Sequence, residues 1–242
     1  MFQIIIGIGF YLSHVVSFVA SAKILAILPF QIRSHNAIFQ TYVNELHVRG
    51  HELVVASPFL PQDPHLHNYT FINTYESHMS DSVIISSKHV SRDIYHHFKF
   101  MYKWETSHCR RVLDQLNSRK LLHNNDEKPF DLVIMESYYV HCYIPIAVIK
   151  NVPLIWYLAP SRMFAAELAI GNDQNPSYFP TVISRTYEFP ASERASFLSR
   201  LRNFQNYITT YLYNYFHFFP LTESICKEYF GGEISCDVYT LF

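Results

Sequence analysis

Apolar and polar positions along the chain alternate between two periods. Lys23 to Pro29 (KILAILP) is a short apolar run stopped by proline, followed by a polar loop. From Ser34-His35 the apolar residues Ile38, Phe39, Tyr42, Val43 and Leu46 fall at helical spacing, with Gly50 as the stop. Glu52 to Ser57 (ELVVAS) then predicts a second strand. A strand that returns after a helix of this length pairs parallel to the first, through a right-handed crossover. The pattern repeats further on. Asp131 to Glu136 (DLVIME) predicts a buried strand, Tyr139 to Lys150 a helix with Pro145 in its first turns, and Pro153 to Leu158 (PLIWYL) another strand. Two such units predict an α/β fold with a Rossmann-like, doubly wound parallel sheet.

Between and after these units the pattern is weaker. Phe59 to Ser91 is polar and rich in Pro, His, Asn and Ser, with weak strand candidates at Thr70 to Thr74 and Val83 to Ser86. Arg92 to Leu122 has apolar residues at helical intervals and no internal Gly or Pro, and Asn124 to Pro129 breaks it. Ala159 to Pro190 reads as loop. Ser192 to Phe219 turns helical again, with Phe197, Leu201, Phe204, Ile208, Tyr211, Leu212, Tyr215 and Phe216 forming an apolar stripe. We read that stripe as core-facing, with a membrane-anchoring role as the alternative. No repeat at solenoid spacing occurs.

Composition narrows the function classes. The 242 residues suffice for one substantial core, so 23–242 is read as a single domain. Apolar residues make up 49% and charged residues only 16%, and a net charge of -1 gives no field to draw in nucleic acid. Met1 to Val19 carries no charged side chain and ends at Ala20-Ser21-Ala22, so 1–22 reads as a signal peptide, with an uncleaved signal anchor as the alternative. Either directs the body into the secretory pathway, to the endoplasmic reticulum lumen or membrane. In that compartment Asn68-Tyr69-Thr70 is a candidate glycosylation site at Asn68. The four cysteines are scattered; Cys226 with Cys236 as a disulfide, and buried reduced thiols, both fit.

The candidate chemistry gathers where a parallel sheet binds ligands, in the crevice beyond the carboxyl ends of its strands. His35 lies in the first such loop, at a helix start for which Ser34 is the expected N-cap. A neutral imidazole there can take a proton from an attacking hydroxyl; a solvated histidine is the plain alternative. Trp156, Tyr157 and Phe164 follow the last clear strand and could equally line an apolar pocket or pack in the core. His65-Leu66-His67 and His96-His97 lack zinc-site spacing, no GxSxG elbow surrounds Ser161, and no phosphate-cradling GxGxxG or GxxxxGK[ST] occurs. No metal site and no bound cofactor are expected.

Ala22 to Pro61, with its strand, its Ser-His at the helix start and its RGHELVV strand, resembles the opening of animal UDP-glycosyltransferases, most of all the insect branch. Phe130 to Leu158 resembles the same family's FDLVI-acid strand, a helix that includes a cysteine, and a Pro-initiated strand. The resemblance implies the N-terminal, acceptor-binding half of a GT-B fold. It implies inverting transfer of a hexosyl group from a UDP-sugar co-substrate to the hydroxyl of a small lipophilic acceptor, with His35 as base and an acid holding it. Glu136 is the expected partner, where many relatives carry aspartate; His141 is the competing position, and Ser34, His141, Trp156 and Phe164 are the expected acceptor-side residues. The donor-binding half and the membrane span of such enzymes fall outside these residues, so the expectation is a chain that alone binds UDP-sugar weakly or not at all. The alternative is a non-catalytic relative that holds lipophilic ligands or pairs with another copy or with a full-length transferase.

Overall fold

A computed structural model describes residues 21–61, 63, 66–75, 94–122, 129–136, 142–158, 175–177, 179, 196–232 and 234, with the side chains of 94–105 left undescribed. The strands are β1 (Lys23–Ile27), β2 (Glu52–Ser57), β3 (Tyr69–Asn73), β4 (Leu132–Glu136) and β5 (Leu154–Tyr157). The helices are α1 (Arg33–Val48), α2 (Ile94–Ser118), α3 (Ile144–Lys150), α4 (Phe197–Tyr213) and α5 (Phe219–Phe230), with a π-helical stretch, Asn214–Phe218, joining the last two.

All five strands lie parallel in the order β3-β2-β1-β4-β5. The chain moves outward from β1 to β3, then returns to the other side of β1 with β4 and β5. Right-handed crossovers travelling in opposite directions place their helices on opposite faces. Accordingly Phe39 and Val43 of α1 pack on Ile24, Ala26, Leu53, Val55 and Ile134 on one face. On the other, Leu25, Ile27, Val54, Val133 and Met135 meet Val112, Leu113 and Leu116 of α2, Ile146 of α3 and Ile225 of α5. Near-continuous apolar strands are what a sheet covered on both faces requires.

Several expectations from the sequence need correction. On α1, Phe39, Gln40 and Val43 are buried while Ile38 and Tyr42 are exposed, because only one flank of the apolar stripe reaches the sheet. Cys142 and Tyr143 precede α3 rather than continuing it: the helix opens at Ile144 and puts Pro145 in its first turn, where a missing N–H costs nothing. The last helix does not end at Phe219; its π-helical turns pass directly into α5, with Pro220 again in a first turn. Helix α2 stops at Ser118 rather than Leu122, closed by Lys120 at φ 59°. Gly50, at φ 88°, ends α1 as expected, its N–H donating to the His47 carbonyl. The weak candidate near Thr70 is the edge strand β3, while Val83 to Ser86 lies outside the described residues.

The largest reversal concerns the final helices. The buried residues of α4 are Asn203 and Thr210, joined by Asn214 in the π-helical stretch, whereas the predicted core stripe faces outward. Asn203 Nδ2 donates to the carbonyls of Pro176 and Phe179, both at 2.6 Å. Thr210 Oγ1 donates to the Asn206 carbonyl, and Asn214 Nδ2 to that of Thr210. Hydrogen bonding lets these polar side chains be buried.

The cysteines are also more connected than their spacing suggests. Cys109 of α2 and Cys142 form a disulfide across 33 residues, tying α2 to the segment that enters α3. Cys226 is disulfide-bonded as well; Cys236, its expected partner, lies outside the described residues.

Candidate active site

The strand order reverses between β1 and β4, and it is the loops leaving these two strands that open the crevice of a doubly wound sheet. His35 enters this crevice from the first turn of α1, eight residues past the end of β1. Glu136 is the last residue of β4, and strand alternation turns it to the α1 side, the same face as Ile134. The two meet: His35 Nδ1 and Glu136 Oε1 share a short hydrogen bond. The Glu136 side chain is completely buried and that of His35 is 12% exposed. An imidazole at a crevice mouth is thus held by a carboxyl group beneath it.

Burial pushes the Glu136 carboxyl above the ordinary carboxylate range, while the hydrogen bond and charge of His35 pull it back down. Its second oxygen, Oε2, is buried with no hydrogen-bond partner. The proton of this pair decides its chemistry. A Glu136 carboxylate accepts from Nδ1–H and leaves the basic lone pair on Nε2; a neutral carboxyl group donates to Nδ1 and puts the proton on Nε2.

Tyr157 ends β5 in register with Glu136 and on the same face. Its hydroxyl is buried without a hydrogen-bond partner, and desolvation, then the nearby Glu136 and Tyr42, push it up to about 12. The Tyr42 ring leans against it, centroids 5.6 Å apart. Trp156 alternates to the other face, where it packs against the core under α2 and α3. Of the two adjacent aromatics, then, Tyr157 is the neighbour of the His35–Glu136 pair; its place follows from strand alternation counted from Glu136.

Ser34 is exposed in the first turn of α1 and is not its N-cap. The capping position is Ile32, which offers no side-chain oxygen. Asp131, the other acid of the FDLVI segment, lies at the opposite end of the sheet, its Oδ2 accepting from the Lys23 N–H at 2.7 Å. His141 and Phe164 lie outside the described residues. Asn68 is exposed at φ 57° in the turn before β3, with its backbone carbonyl held by Leu53 N–H. Among the described residues no group of three or more His, Cys, Asp or Glu side chains is arranged to hold a metal ion.

No family model matches the chain. It is 26% identical over 223 residues to "UDP-glucosyltransferase 2" of Dactylopius coccus, which covers 88% of this chain and 40% of that protein. It is 26% identical over 250 residues to "UDP-glycosyltransferase UGT5" of the same insect, covering 94% of the chain and 43% of the relative. "Ecdysteroid UDP-glucosyltransferase" of Lacanobia oleracea granulosis virus matches at 26% over 164 residues, 66% of the chain and 33% of the relative. The chain therefore spans about two fifths of the length of the first two relatives. Its five-stranded parallel sheet with flanking helices is a Rossmann-like α/β fold, consistent with the N-terminal half of a GT-B glycosyltransferase. Over most of its length, then, the chain is similar to proteins named as UDP-glycosyltransferases, and its fold agrees with that family.

Proposed function

We propose that this chain supplies the acceptor site and the general base for transfer of a hexosyl group from a UDP-sugar to a hydroxyl of a small lipophilic compound. The observation that carries the reading is the His35–Glu136 pair at the switch point of the sheet. With Nδ1 engaged by Glu136, His35 Nε2 takes the proton of the acceptor hydroxyl. The oxygen attacks the anomeric carbon as the bond to UDP breaks, and the sugar inverts. Glu136 orients the imidazole and offsets the charge it gains, the base-plus-orienter arrangement of activated nucleophiles. Ser34 and Tyr157 stand beside the pair as acceptor contacts. The UDP-sugar is a co-substrate, and the residues that grip it belong to a second domain of the kind the longer relatives have room for. The setting we propose is the lumen of the secretory pathway, which an apolar leader over 1–22 and an exposed Asn68 sequon both suit.

The test is UDP-sugar transfer to a panel of small phenols, run with the chain alone and with the remaining part of a Dactylopius relative supplied. Turnover that depends on the added part and falls about 10²- to 10⁴-fold in His35→Ala, the usual contribution of a general base, supports the reading. Turnover unchanged in His35→Ala overturns it.

A further inference from the structure

Helix α4 and the π-helical stretch after it are inverted in polarity. Phe197, Leu201, Phe204, Ile208, Tyr211 and Tyr215 recur at alternating steps of four and three, and each is between 37% and 74% exposed. The opposite side of the same helix, carrying Asn203, Thr210 and Asn214, is buried and hydrogen-bonded within the protein. A helix that turns amides inward and six large apolar side chains outward has its apolar face matched to something other than its own core.

The charges beside the stripe select the occupant. From Phe197 to Thr222 there is no Asp, Glu or Lys, and the only charged side chains are Arg200 and Arg202, both exposed. A second copy of this face would bring two more arginines and no acid, whereas helix pairs are joined by opposite charges along their flanks. A bilayer bearing anionic headgroups offers an apolar layer for the stripe and negative charge for the arginines. Tyrosines suit that boundary, with an apolar ring and a polar tip. No described helix is long and apolar enough to cross a membrane, so the contact is one of lying along the surface. We propose that the outer face of α4 seats the protein on an anionic phospholipid surface, with α4 in the plane of the interface and the sheet above it. The proposal rests on α4 alone and holds whether or not the chain transfers sugars.

The test uses the full chain and a Phe204→Trp variant, whose extra emission over the parent reports on that one position. Vesicles of phosphatidylcholine with about one third phosphatidylserine are the probe, with and without brominated acyl chains. The expected result is a blue shift of the position-204 emission and quenching by the brominated lipid. Arg200→Gln with Arg202→Gln should weaken binding to these vesicles about thirtyfold, at roughly tenfold or less per cationic residue, and leave binding to pure phosphatidylcholine unchanged. Vesicle binding that leaves the position-204 emission water-like would place the contact elsewhere in the chain and overturn the proposal. So would a blue shift that appears without vesicles and grows with protein concentration, the mark of a second copy as occupant.

Discussion

Replacing Glu136 by Gln removes a carboxyl group from a site where its side chain is wholly buried and one oxygen has no hydrogen-bond partner. Burial raises its pKa from the ordinary 4.5, so the folded state holds this proton more tightly than the unfolded chain does. The sign of the effect on stability follows from that. A raised carboxyl contributes stability that is fully present below about pH 4.5 and is lost as pH climbs through the folded value. The steepest loss for one such proton is about 1.4 kcal/mol per pH unit. The hydrogen bond from His35 Nδ1–H to the carboxylate limits the total, since a charge-assisted bond returns about 1.5–3 kcal/mol. Glu136→Gln keeps an oxygen that can accept from His35 and removes the titration. Urea unfolding of both proteins from pH 4 to 8 therefore measures the difference directly. The variant should gain on the parent as pH rises from 4.5, and the gap should level off once Glu136 is ionised in the folded state. Parallel profiles, or a variant that loses ground as pH rises, would refute a strained buried carboxyl at this position.

Three further outcomes follow from other parts of the structure. Asn203→Ala removes two hydrogen bonds that a buried side chain makes to the Pro176 and Phe179 carbonyls and should lower stability in urea unfolding by about 2–4 kcal/mol. Replacing Cys109 and Cys142 together by Ser opens a loop of 33 residues and should cost about 3–4 kcal/mol, visible as a thermal midpoint below that of the oxidised parent without reductant. Tyr157→Phe deletes a buried hydroxyl that has no hydrogen-bond partner, so the protein should be equally stable or more so, by about 1 kcal/mol; a fall in phenol affinity measured by calorimetry would assign that hydroxyl to the acceptor.

The sheet was legible in the sequence because it depends on local pattern, whereas the pairing of His35 with Glu136 was implied by the family resemblance, and the structure brings the two together. Buried parallel strands read as continuous apolar runs, and the two residues stand at the carboxyl ends of β1 and β4, where a doubly wound sheet collects its ligands. What escaped depends on partners distant in the chain. Nothing at Cys109 or Cys142 announces their bond, because α2 and the entry to α3 become neighbours only through the fold. The stripe on α4 has the spacing of a core helix; periodicity gives a face but not which side it takes, and the buried Asn203 reveals itself only through carbonyls at Pro176 and Phe179. Ser34 suits a cap by residue type, yet the capping position falls two residues earlier, at Ile32.

In the reaction we propose, Glu136 fixes the His35 imidazole with its proton on Nδ1 and its basic lone pair on Nε2. Nitrogen-15 NMR of histidine-labelled protein, with the His35 signals assigned by subtraction of a His35→Gln spectrum, reads that tautomer at neutral pH. The expected spectrum shows a protonated Nδ1, an unprotonated Nε2, and a change confined chiefly to Nε2 when a phenol binds. A protonated Nε2 with Nδ1 accepting from a neutral Glu136 would contradict it, because such an imidazole has no lone pair to offer the acceptor.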